Sequence, residues 1–145
     1  RRKAIRSAIS ATVVKEIVSA RGHVVPKNYP IIVEAGFEEL KKTKEAIEVL
    51  KVLGLENEIL RADEKKVRSG KGKARGRKYR IKAGPLIVVS NKCSVSNAVK
   101  NITGVDVVEV NNLNAELLAP GCVPGRITVW TEPAIKRIEK ENLFM

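Results

Sequence analysis

Between Lys66 and Lys82 the chain carries nine basic side chains and no carboxylate: Lys66, Arg68, Lys71, Lys73, Arg75, Arg77, Lys78, Arg80 and Lys82. The chemistry open to them is recognition of anions. A guanidinium grips two phosphate oxygens in parallel, where an ammonium offers a point charge. Arg61, just upstream, is read as part of the same set. Glycines at 70, 72 and 76 let the backbone come close to a polyanion, so Gly72 and Gly76 join the candidate contacts. Tyr79, the only aromatic of the stretch, either stacks on a base or sugar or anchors the loop against the body of the protein. Removing the nine cations lowers the formal net charge from +12 to +3, and removing Arg1, Arg2, Lys3 and Arg6 as well takes it to −1. Positive charge held at two places on an otherwise neutral chain is the footprint of a polyanion binder. A merely solvated connector is the alternative, and the arginine and glycine content argues against it.

Other chemistry finds little support. Gly70, Gly72 and Gly76 give G-x-G-x-x-x-G, one residue off the dinucleotide fingerprint and placed before a strand instead of between a strand and a helix. Gly76 is followed by Arg77 and Lys78, so the phosphate-loop pattern fails too. His23, the one histidine, follows Gly22 and reads as a surface or helix-end residue, with no serine or cysteine paired to a visible base. Glu38, Glu39, Glu45 and Glu48 stand among Lys41, Lys42 and Lys44 and read as a solvated helix face. Asp106 and Glu109 flank strand valines without a second catalytic partner. Cys93 and Cys122 lack the paired spacing of a zinc site and read as buried or partly buried thiols. No catalytic residue, metal site or cofactor is expected.

The elements that must position the basic run are read from periodicity. Ile5, Ile9, Val13, Ile17 and Ala20 fall three or four apart and predict one helix over 2–20, ended by Gly22. Ile31 to Val33 predicts a strand, and Phe37, Leu40, Lys44, Ile47, Leu50 and Leu53 predict a helix running on to Gly54. A short helix follows over 55–65. The glycine-rich loop over 66–84 is expected to hold no regular element and to be mobile until phosphates compensate its charge. Leu86 to Val89 is an apolar run suited to a strand covered on both faces. Ser94 or Ser96 is expected to cap a helix reaching about Asn101, with Val95, Ala98, Val99 and Ile102 inward. Val105 to Val110 is the next strand. Asn114 opens a turn of helix stopped by Pro120 and Gly121, Ile127 to Trp130 is a strand, and Thr131 caps a last helix with Pro133 in its first turn. Alternating strands and helices predict an α/β fold, Rossmann-like, with a mostly parallel sheet of about four strands and helices on both faces.

At 145 residues with 43% hydrophobic content, residues 1–145 are expected to form one domain with a core. The longest apolar runs are far short of the roughly 20 residues that cross a bilayer, and no cleavable leader pattern occurs. A soluble cytoplasmic protein is the expectation. The chain opens on Arg1 and its one methionine is Met145, so its natural beginning is expected upstream.

The string SGKGKARGRKYRIKAGPLIVVS at 69–90, with RRKAIRSAISAT at 1–12, GVDVVEVNNLNAELLAPG and GRITVWTEPAIKRI, resembles the archaeal and eukaryotic branch of the ribosomal protein L-four family over the whole chain. The resemblance implies a three-layer α/β/α domain resting on large-subunit ribosomal RNA beside neighbouring ribosomal proteins, in the cytoplasm. It implies no small-molecule substrate, no membrane and no catalysis. The family's first strand and its extension into the peptide exit tunnel precede the RRKAIRSA helix and are expected to lie outside this chain, so no tunnel role is carried over. The implied RNA contacts are the basic loop and Arg1, Arg2, Lys3 and Arg6 at the root of that extension. The alternatives are an RNA-modifying enzyme on the same kind of sheet and a regulatory nucleic-acid-binding module outside the ribosome.

Overall fold

The computed structural model describes residues 1–144; Met145 lies outside the described residues. Helices α1 (Arg2–Val13) and α2 (Lys15–Ala20) lead to strand β1 (Ile31–Val33), followed by helices α3 (Thr43–Val52) and α4 (Glu56–Asp63). Two short strands, β2 (Lys66–Val67) and β3 (Tyr79–Arg80), come next. Then follow β4 (Leu86–Val89), α5 (Val95–Val99), β5 (Asp106–Glu109), α6 (Ala115–Leu118), β6 (Thr128–Thr131) and α7 (Glu132–Lys140).

Strands β1, β6, β4 and β5 form one sheet in that order, and every pairing is parallel. The alternation of side chains along a strand sends Leu86 and Val88 to one face of β4 and Ile87 and Val89 to the other. All four are fully buried, because helices cover both faces. Ile87, Val89 and Val129 pack with Val18, Ala46, Leu50, Val95 and Val99 on one side. Leu86, Val88, Val108 and Trp130 pack with Ile5, Ala8, Leu118 and Ala134 on the other. The fold is therefore the expected layered α/β arrangement. Each buried valine, leucine or isoleucine contributes about 1.5–3 kcal/mol relative to exposure.

Local signals placed the caps at two helices. Asn114 Oδ1 accepts from Leu117 N at 2.9 Å, and Thr131 Oγ1 accepts from Ala134 N at 3.4 Å, with Pro133 in the first turn of α7. Ser94 stands before α5, but its hydroxyl donates to Glu38 O at 3.0 Å and makes no cap, and α5 ends at Val99.

The single helix expected over 2–20 is broken at Val14, whose backbone is extended (φ −81°, ψ 112°). Thr12 Oγ1 bonds back to Ile9 O at 2.7 Å, and the β-branched residues Thr12, Val13 and Val14 crowd the turn. The break has a packing consequence. Ile5 and Ala8 bury on one face of the sheet and Val18 on the other, so the inward stripe is Ile5, Ala8, Thr12 and Val18, while Val13 and Ile17 remain exposed. The helix expected from Phe37 to Leu53 is also interrupted. Ala35–Glu39 is a 3-10 turn with Phe37 buried, and α3 begins only at Thr43.

Candidate nucleic-acid interface

The basic run, expected to lack regular structure, is a short antiparallel hairpin. Lys66 pairs with Arg80 and Val67 with Tyr79, and Arg68 N donates to Lys78 O at 2.8 Å. Its turn is a single 3-10 winding at Lys71–Lys73, closed by Ala74 N to Lys71 O, and by Arg75 N and Arg77 N to Gly72 O. Gly70 and Gly76, at φ 79° and 77°, supply the two left-handed positions that bracket this winding. These backbone bonds shape the turn locally, and the basic side chains around it stay in solvent.

All nine cations of the run are exposed. Arg68 Nε reaches only Arg77 O at 3.3 Å, and Lys78 Nζ lies 5.5 Å from the centre of the Tyr79 ring. Tyr79 is half exposed and faces Val67 across the hairpin, so it has not been drawn into the core. Lys82, at the foot of β3, pairs with Glu64 at 2.5 Å, and the Lys82 ammonium holds the Glu64 carboxyl below its ordinary range.

The hairpin springs from a rigid root that the sequence reading missed. His23, expected at the surface, is buried, and its Nδ1 lies 2.6 Å from Glu58 Oε1. Burial alone would raise the Glu58 carboxyl; hydrogen bonds from Arg61, His23 and the Val24 N–H outweigh it and bring it down to about 2. Arg61, read above as a phosphate-gripping arginine, is instead committed inward. It holds Glu58 through Nε and Nη2 at 2.8 and 2.6 Å, and Nη2 also donates to Ala83 O at 2.8 Å.

A second buried cation completes the root. Arg126, 2% exposed, donates to Gly84 O at 2.8 Å, Leu117 O at 3.2 Å and Gly104 O at 3.4 Å, and pairs with Asp106 at 2.5 Å. Asp106 therefore serves an ion pair at the start of β5. Gly84 N donates to Gly104 O at 2.8 Å, and a side chain at Gly104 would stand 2.8 Å from Lys82 O and 2.9 Å from Ala62 Cβ. The absence of a side chain there is what lets the foot of the hairpin lie against the turn before β5. The only signals for this root in the sequence were a lone histidine and an arginine in an apolar stretch, neither of which names its partner.

Arg1, Arg2, Lys3 and Arg6 occupy a different element. They are exposed at the start of α1, whose inner side rests in the layer shared with α6 and α7. The loop residues thus share one hairpin, and the N-terminal cations belong to a different element, the first helix.

The carboxyl ends of β4 and β6, where open sheets of this kind bind nucleotides, border an open pocket of about 500 Å³ lined by Ser90, Asn91, Pro133, Lys136, Arg137, Lys140 and Glu141. The helices following β4 and β6 lie on opposite faces, which makes that pair the switch point of the sheet. Glu38, expected on a solvated face, reaches into it and accepts from Ser90 N at 2.9 Å, Ser90 Oγ at 2.7 Å and Thr131 Oγ1 at 2.6 Å. Among the described residues no group of His, Cys, Asp and Glu is placed to hold a metal ion, and no helix is long and apolar enough to cross a membrane. Cys93 is half buried, with burial pushing its thiol up, while Cys122 is exposed, contrary to expectation.

Comparison with known proteins converges on one family. The model of the Ribosomal protein L4/L1 family matches residues 1–141. Large ribosomal subunit protein uL4 of Methanosphaera stadtmanae is 51% identical over 138 residues, covering 93% of this chain and 53% of the relative. Its counterpart in Nanoarchaeum equitans is 50% identical over 145 residues, covering 99% of this chain and 54% of the relative. That of Methanocaldococcus jannaschii is 49% identical over 140 residues, covering 95% and 56%. The chain spans about half the length of the curated relatives it matches.

Proposed function

Because the chain belongs to the Ribosomal protein L4/L1 family, we propose that it is a structural constituent of the large ribosomal subunit that binds ribosomal RNA and carries out no catalysis of its own. Its partners in this reading are large-subunit ribosomal RNA and neighbouring ribosomal proteins in the cytoplasm. The observation that carries it is the hairpin: nine exposed cations on one short antiparallel turn, with none of its carboxylate neighbours placed within the run. Lys66, Arg68, Lys71, Lys73, Arg75, Arg77, Lys78, Arg80 and Lys82 would contact phosphates and sugars, Gly72 and Gly76 would give close backbone approach, and Tyr79 would stack. Arg1, Arg2, Lys3 and Arg6 would add contacts from α1. Specificity would come from the folded shape of the RNA, since phosphate contacts carry register and not sequence. The enzyme alternative would need a cofactor at the strand ends, where Glu38 is already engaged.

The test is binding to purified large-subunit RNA across a salt series, with a variant carrying Lys71→Ser, Lys73→Ser, Arg75→Ser, Arg77→Ser and Lys78→Ser. Neutralising about eight phosphates gives a slope of log affinity against log salt of roughly −6 to −7. The variant is expected to bind weakly with a much shallower slope. Equal binding and equal slope in both proteins would remove the hairpin from the interface.

A further inference from the structure

Beneath the hairpin lies a pocket of about 500 Å³, in the size range of small-ligand sites. Five cations line it: Arg21 from the end of α2, Arg61 from α4, and Lys66, Arg80 and Lys82 from the hairpin arms. Arg61 and Lys82 have carboxylate partners in Glu58 and Glu64. Among the described residues no carboxylate pairs with Arg21, Lys66 or Arg80. Arg21 is held by neutral groups alone, donating to Pro120 O at 2.7 Å and to Val123 O, so it keeps its full charge at a fixed place. Burial, and after it the nearby Arg126 and Arg61, lowers the affinity of Arg21 for its own proton.

The pocket also offers apolar surface. Ile81, half exposed between Arg80 and Lys82, lines it together with Ala83 and Pro120. In an A-form duplex the bases are stacked inward and present only phosphates and sugars to a side pocket, which leaves the apolar side of this one without a partner. A nucleotide turned out of a strand offers both a phosphate for the cations and a flat base for the apolar side.

We infer that this pocket, built from Arg21, Lys66, Arg80, Ile81 and the Pro120-Gly121 turn, receives one unpaired RNA nucleotide, with its phosphate on the three unpaired cations. The site lies at the root of the hairpin, apart from its tip, and draws in Arg21 and the turn after α6, which the charge distribution of the sequence did not mark. It rests on the RNA-binding reading above and specifies where an extruded nucleotide would be held.

The experiment titrates the nitrogen-labelled full chain with a single-stranded uridine tetranucleotide and, separately, with a short blunt RNA duplex, following backbone amides by NMR. The tetranucleotide is expected to shift the amides of Ala83, Gly84, Gly121 and Cys122, with the duplex moving those of residues 70–78 instead. Arg21→Gln should raise the dissociation constant at the pocket about tenfold, the effect of losing one charge-assisted hydrogen bond. Because Arg21 also tethers two carbonyls, the exposed pair Lys66→Gln/Arg80→Gln serves as a second variant with the same expected loss. If tetranucleotide and duplex shift only the tip, the pocket assignment falls while the RNA-binding reading stands. If the duplex fills the pocket as readily, or neither variant weakens it, the assignment to an unpaired nucleotide falls. Silence of every amide toward both RNAs overturns the two readings together.

Discussion

Arg126 and Arg77 share a residue type and occupy opposite physical settings. Arg126 is almost fully buried, with carbonyls of three residues and the Asp106 carboxylate around its guanidinium. Arg77 stands in solvent at the turn of the hairpin, where its backbone is hydrogen-bonded and its side chain is not called on by the fold. Arg61 belongs with Arg126: Glu58, His23 and Ala83 O claim it. The comparison teaches that a basic residue near a basic loop is a candidate for RNA only if nothing internal has taken its charge. The root spends its cations on holding the foot of the hairpin in place, and the hairpin leaves its own in solvent.

The sharpest way to break the comparison is to remove an anion from the root. Glu58→Gln leaves Arg61 and His23 without their buried carboxylate and is expected to cost about 3–5 kcal/mol of stability, read by denaturant unfolding. A loss under about 1 kcal/mol would mean that the root is no more structural than the hairpin.

Acid sharpens the same point. The Glu58 carboxyl falls from its ordinary 4.5 to about 2 in the folded protein, so its contribution is fully present above pH 4.5 and is lost as pH falls from there toward 2. Titrating it away should remove about 3 kcal/mol, and this acid limb should be missing from the unfolding profile of Glu58→Gln. An unchanged limb in that variant would assign the acid sensitivity elsewhere.

The smallest effect is expected at the tip. Changing Lys71, Lys73, Arg75, Arg77 and Lys78 to serine should alter stability by no more than about 0.5 kcal/mol per site, and relief of like-charge repulsion makes a gain as reasonable as a loss. Thermal unfolding of this variant at low salt checks it. A large loss would show that the hairpin, like its root, is part of what holds the fold.

How legible each region was in the sequence follows from the range of the forces involved. Leu86 to Val89 announced a doubly covered strand because four adjacent side chains carry the message, and Asn114 and Thr131 announced helix starts because a cap reaches only three residues ahead. The tip was legible for the same reason, since its charge is contiguous. The root was not: His23 and Glu58 are 35 positions apart, and Glu38 finds Ser90 and Thr131 at separations of 52 and 93. The break at Val14 escaped because the spacing on either side fits one helix, and only the sheet between the two layers requires the chain to turn.

The order β1-β6-β4-β5 also sets a timetable for folding. The strand that joins β1 to β4 is β6, the last of the six to be synthesised, and its pairing of Ile31 with Val129 spans nearly a hundred residues. Contacts of such separation form slowly, because the intervening chain must be closed before they return any energy. On a translating ribosome the basic hairpin is therefore made, and open to any nearby polyanion, before the sheet beneath it can be completed.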